Sequence, residues 1–121
     1  MNTYIYAADL YCEKCARIIK RTLAVKGLAP QNTRDESSYD SGDYPKGPYS
    51  DGGGESDSPQ HCASREDCVQ ALELEDGWKV GCWLENPLTS HGVQYVREEI
   101  ANKPDNPVVQ YWATVYAEEI G

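Results

Sequence analysis

The sequence has no phenylalanine and a single methionine, so the usual fillers of a small core are missing. Nine tyrosines and three tryptophans must supply the aromatic packing. A tyrosine buries its ring and still needs a partner for its hydroxyl. With 40% apolar residues in a chain of 121, the expected core is thin, and an external staple, disulfide or metal, is expected. Basic residues are also scarce. Eleven Lys and Arg stand against twenty Asp and Glu, a net charge of −9. That sign excludes the basic patch on which direct nucleic-acid or anionic-membrane binding depends. It suits a protein partner with a basic surface, or occupation of a basic nucleic-acid channel by imitation of its charge. No window approaches the run of about 18 apolar residues that a transmembrane helix needs. Met1-Asn2-Thr3-Tyr4-Ile5-Tyr6 lacks the basic-then-apolar order of a secretory signal, so a cytoplasmic location is expected. No GxSxG, Walker-type loop or HExxH occurs, and the chain is not expected to be an enzyme. Gly52-Gly53-Gly54 is flanked by Asp51 and Glu55, which would repel the phosphate that such a glycine run often cradles.

Five cysteines are present, an odd number that complete disulfide pairing does not explain. In a reducing compartment they are more often metal ligands. Cys12-Glu13-Lys14-Cys15 puts two thiols at the start of an expected helix, where the helix dipole and free amide hydrogens favour thiolate, the zinc-binding form. Cys62 and Cys68 bracket a short loop, a looser spacing than an ordinary zinc knuckle. Together Cys12, Cys15, Cys62 and Cys68 satisfy tetrahedral Zn2+ and leave no open position, which describes a structural site. His61, beside Cys62, is a possible ligand or a support for one. Cys82, between Gly81 and Trp83, reads as the spare, a small buried hydrophobe. A rival reading uses the same residues: strand, Cys-x-x-Cys and helix is the local order of thiol–disulfide oxidoreductases, with Cys12 and Cys15 as the redox pair. The βαβ continuation of such enzymes is missing.

Periodicity predicts an α+β fold in one domain spanning 1–121. It has a short strand at Thr3–Ala7, a helix over Glu13–Lys26 stopped by Gly27, and a β-hairpin turning at Asp76-Gly77. Two further helices follow, one capped by Thr89 or Ser90 and running to about Asn102, the other capped by Asn106 with Pro107 at its first position. Between the first helix and the hairpin, residues 31–60 carry seven acidic and two basic residues and read as a long acidic Gly/Ser/Tyr-rich loop, tied at both ends by the metal site. Asp35, Glu36, Asp40, Asp43, Asp51, Glu55 and Asp57, interleaved with Tyr39, Tyr44 and Tyr49, form the expected partner-binding surface, because tyrosines offer rigid contact area with a polar tip.

The runs Tyr11-Cys12-Glu13-Lys14-Cys15, Asp35-Glu36-Ser37-Ser38-Tyr39-Asp40-Ser41, Tyr44-Pro45-Lys46-Gly47-Pro48-Tyr49, Asp51-Gly52-Gly53-Gly54-Glu55, Pro59-Gln60-His61-Cys62 and Leu84-Glu85-Asn86-Pro87-Leu88-Thr89 resemble a family of small uncharacterised zinc-knuckle-like proteins from phages and bacteria. Similar sequences often carry a tight Cys-x-x-Cys after the His-Cys step, whereas here Val69–Gly81 intervenes. The resemblance implies Cys62 and Cys68 as the second ligand pair and a bacterial host cytoplasm, and it carries no activity. The expected function is a non-enzymatic protein-binding module, in one version an anti-CRISPR-like inhibitor of host defence. The thiol–disulfide enzyme and a purely structural or regulatory zinc protein are the alternatives.

Overall fold

The computed structural model describes residues 1–121 as an α+β fold with four helices and a small antiparallel sheet. Strand β1 (Thr3–Tyr6) is central, paired with β2 (Asp9–Cys12) on one side and β3 (Lys46–Tyr49) on the other. Helix α1 (Glu13–Val25) follows β2 directly, with Cys12 as the N-cap residue in an extended conformation. It buries Cys15 and Ala16 and half-buries Ile19 and Leu23, the face that helical spacing predicts. Its end is a Schellman motif: Leu28 N donates to Leu23 O and Gly27 N to Ala24 O, with Gly27 at φ 72.

Two strands were not expected. Asp9–Cys12 lies between the expected strand and the expected helix, and it forms a two-residue hairpin with β1 in which Tyr6 faces Asp9. Its turn residues, Ala7 and Ala8, adopt φ 49 and 67, conformations that normally select Asn and Gly. β3 carries Gly47 and Pro48, residues that ordinarily argue against a strand.

The segment 31–60 is therefore not a loop held only at its ends. Besides β3, it is fastened by Ala7 N to Ser41 O, Gly52 N to Met1 O, Ser56 N to Pro87 O and Thr89 N to Ser56 O. Close packing reinforces this: a Cβ on Gly52 would lie 2.2 Å from Leu84 O, and one on Gly92 would lie 2.8 Å from Ser56 O.

The predicted hairpin at Asp76-Gly77 is present, with strands of two residues each, β4 (Leu72–Glu73) and β5 (Lys79–Val80). Helix α2 (Ser90–Asn102) is capped by Thr89, whose Oγ1 accepts from Gly92 N. Helix α3 (Pro107–Val115) is capped by Asn106, which accepts from the amides of Val108 and Val109. A short α4 (Ala117–Ile120) ends the chain. The buried side of α3 runs through Val109 and continues to Tyr116, while Val108 is half-buried. No helix is long and apolar enough to cross a membrane.

One polar residue joins the halves. Asn86 is 1% exposed; its Oδ1 accepts from Gln60 N and Tyr116 Oη, while its Nδ2 donates to Ser58 O and Pro87 O. Tyr116 Oη also donates to Asn86 O and accepts from Trp83 Nε1. A buried amide is tolerated only when its hydrogen bonds are met, and here all of them are.

Candidate metal centre

The hairpin β1–β2 delivers Cys12 at the strand's end and the first turn of α1 delivers Cys15. Cys62 comes from an extended segment paired with 82–84, and Cys68 from the end of a 3-10 turn at Arg65–Asp67. The sulfurs of Cys12, Cys15, Cys62 and Cys68 all lie within 4.8 Å of one another, and all four residues are buried. These are the four expected ligands. Cys12 Sγ and Cys68 Sγ are 3.8 Å apart. A tetrahedron with metal–sulfur bonds of about 2.3 Å has edges of about 3.8 Å, so this pair already stands at ligand spacing.

The surrounding donors point at sulfur. Cys12 N donates to Cys62 Sγ at 3.4 Å and Val69 N to Cys15 Sγ at 3.4 Å. Ser64 acts in the same direction, its hydroxyl lowering the pKa of Cys15 and its amide that of Cys62. Ser64 was not singled out in the sequence; its only signal is its place two residues after a ligand, where the backbone amide turns back toward the sulfur.

Without a cation, these thiols cannot all ionise. Hydrogen bonds from Cys12 and then Cys82 hold Cys62 well below the usual thiol range. Burial pushes Cys15 up to about 12. Cys12 is raised by its hydrogen bond to Cys62, and Cys82 by its hydrogen bonds to Cys12 and Cys62. The reason is Coulombic: two unit charges about 4 Å apart repel by about 4 kcal/mol at an effective dielectric of about 20. Four thiolates at this spacing need a multivalent cation among them, and a soft, closed, four-sulfur shell is one that a metal ion fits.

His61 does not face this cluster as a ligand. Trp112 Nε1, which can only donate, gives its hydrogen to Nε2 at 3.0 Å, leaving Nδ1 to donate to Gly81 O at 2.8 Å. Both nitrogens are engaged, so no lone pair is free for a metal. Burial lowers the pKa of His61 below the usual imidazole range, consistent with the neutral ring this network requires. Of the two roles expected for His61, ligand or support for one, these bonds leave no nitrogen for the first, and the ring braces Gly81, next to Cys82. Gly81 itself has no room for a side chain, since a Cβ would sit 2.1 Å from Cys62 O.

Cys82 is buried beside the four and packs in one cluster with them and Leu84. It stands outside the set of four, and its sulfur accepts a hydrogen bond from Gln70 Nε2.

The expected partner-binding residues divide. Tyr44 is buried, edge-on to Tyr39 with ring centroids 5.5 Å apart, and Lys20 and Lys46 lie over these two rings. Asp35 accepts from Ser37 N, Glu36 from Gly47 N, Asp40 from Gly42 N, and Asp57 from the Thr89 hydroxyl. These six hold the segment's own shape. Asp43, Tyr49, Asp51 and Glu55 are exposed, and their side chains make no hydrogen bond within the chain.

The chain matches no protein-family model, no curated protein and no solved structure.

Proposed function

We propose that the four cysteines hold one structural zinc ion and that the protein works without catalysis, as a rigid acidic module that binds another protein. The observation that carries this reading is the convergence of four buried sulfurs from two distant segments, one of each pair braced by a backbone amide. Zinc is the ion best suited to a closed tetrahedral thiolate shell, because it has no redox chemistry and no geometric preference of its own. The burial of Cys12 and Cys15, 0% and 4% exposed, supports the non-enzymatic reading over the oxidoreductase, whose attacking thiol must reach a substrate disulfide.

Protein binding rests on the charge of −9 and on Asp43, Tyr49, Asp51 and Glu55, the part of the acidic segment that the fold leaves free. Their chemistry suits a basic protein surface. The resemblance of its sequence runs to phage and bacterial proteins favours a partner in a bacterial host, and the narrow version of this reading is a host-defence protein that carries a basic nucleic-acid site.

The experiment uses two sets of variants of the full chain. Protein purified without added metal should hold close to one zinc by elemental analysis. Cys12→Ser, Cys15→Ser, Cys62→Ser and Cys68→Ser should each lose it. The triple charge reversal Asp43→Lys, Asp51→Lys, Glu55→Lys should keep the zinc and lose the proteins that the wild type captures from a bacterial lysate. Identical capture by the triple variant would reject the acidic face, and a zinc-free wild type would reject the metal.

A further inference from the structure

Cys82 has a second relation to the cluster. His61 and Trp83 form an antiparallel bridge, with Cys62 N donating to Cys82 O at 2.8 Å and Leu84 N to Gln60 O at 2.9 Å. In that register Cys62 and Cys82 are directly opposite, and opposite residues of an antiparallel pair project their side chains to the same face. His61 and Trp83 occupy the other face, against Tyr111. Cys62 and Cys82 make one of the two bonds of such a pair, and directly opposite antiparallel residues have Cα atoms about 4.5–5.5 Å apart, within the roughly 4.4–6.8 Å that a disulfide spans. A cavity of about 580 Å³ reaches this place from solvent, lined by Cys62, His61, Val80 and Gly81 among others. Both thiols are free.

We infer that Cys62 and Cys82 form an oxidisable pair, and that a hydroperoxide converts it to a disulfide with release of the bound metal. The inference rests on the zinc reading for its consequence but not for the pairing. The steps balance with hydrogen peroxide as the oxidant. The Cys62 sulfur attacks one peroxide oxygen, the O–O bond breaks, and the departing hydroxide takes up a proton to leave as water, with Cys62 now a sulfenic acid. The Cys82 sulfur then attacks Cys62, the S–O bond breaks, the S–S bond forms, and a second water leaves with the Cys82 proton. Two thiols are oxidised by two electrons, and one peroxide is reduced to two waters. Once Cys62 is in a disulfide, three thiolates remain around the metal and the shell is open.

Cys82 is suited to the second step because it is the one cysteine of the cluster outside the ligand set. Cys12, Cys15 and Cys68 would each have to give up their own bond to the metal. The bond is also reversible by thiol–disulfide exchange, so a dithiol reductant should restore the site.

The test treats the zinc-loaded full chain with increasing hydrogen peroxide beside a chromogenic zinc chelator, and maps the product by peptide mass spectrometry. One zinc should be released per chain, with the loss of two hydrogens located in a Cys62–Cys82 cross-linked peptide, and dithiothreitol should reverse it. Cys82→Ala should bind zinc with the same stoichiometry and need at least about tenfold more peroxide for the same release, a factor equivalent to about 1.4 kcal/mol in barrier. Release from Cys82→Ala at the wild-type rate, or a bond mapped between Cys12 and Cys15, overturns the inference. Mapping on the wild type decides the pairing even if the variant folds poorly. It also decides the pairing if the protein proves to hold no metal, an outcome that rejects the zinc reading alone.

Discussion

At the scale of single residues, what distinguishes a ligand from its neighbour is which lone pairs are left over. The spacing of Cys12, Cys15, Cys62 and Cys68 makes the four candidate ligands legible, and the fold gathers them. His61 shows the limit of such reading. Adjacency to Cys62 made it a candidate, while its real partners, Trp112 and Gly81, lie 51 and 20 residues away. Tyr44 is similar, since its acidic neighbours suggested a contact surface but Lys20 on α1 and Tyr39 enclose it. His61→Phe should therefore keep the full metal content and lose about 1–3 kcal/mol of stability, the cost of leaving the Trp112 donor and the Gly81 acceptor unpaired. Metal analysis beside urea denaturation of the same sample reads both. Loss of metal in that variant would return His61 to the ligand shell.

At the scale of elements, the three longer helices were legible because each carries a local signal at one end, whereas the short α4 was not expected and has no side-chain cap. Gly27, Thr89, Asn106 and Pro107 are local signals, and each stands where its role requires. The strands were not, because β2 and β3 depend on partners far away or on a turn with the wrong residues. The turn at Ala7-Ala8 holds two alanines in the left-handed region, at a cost of about 1 kcal/mol or more for each. Ala7→Asn with Ala8→Gly, the preferred pair for such a turn, should stabilise the protein by about 1–2 kcal/mol. Thermal unfolding should show a rise of several degrees in Tm. An unchanged or lower Tm would mean that the alanine methyl groups or the Ala7 to Ser41 bond contribute more than the backbone relief. The hairpin also aims Cys12, so the gain should appear as tighter metal retention under a competing chelator.

At the scale of the molecule, 20 of 121 residues are buried, and five of the twelve buried hydrophobic ones are cysteines. An ordinary domain is stable by only about 5–15 kcal/mol. Metal binding in zinc-finger peptides is worth about 10–16 kcal/mol, so a filled site here would be comparable to the whole stability of the fold. The two halves meet at Asn86 and Tyr116, and the cysteine cluster joins the N-terminal hairpin and α1 to the segment that carries Cys62 and Cys68. The acidic surface is hung on this frame, so its shape depends on the site even though none of its free acids touches it. The most direct measurement is X-ray absorption at the zinc edge on protein purified without added metal. The account predicts a shell of four sulfurs at about 2.3 Å with no nitrogen or oxygen ligand. A mixed shell with a nitrogen at about 2.0–2.1 Å, or a shell of fewer than four sulfurs, would contradict it.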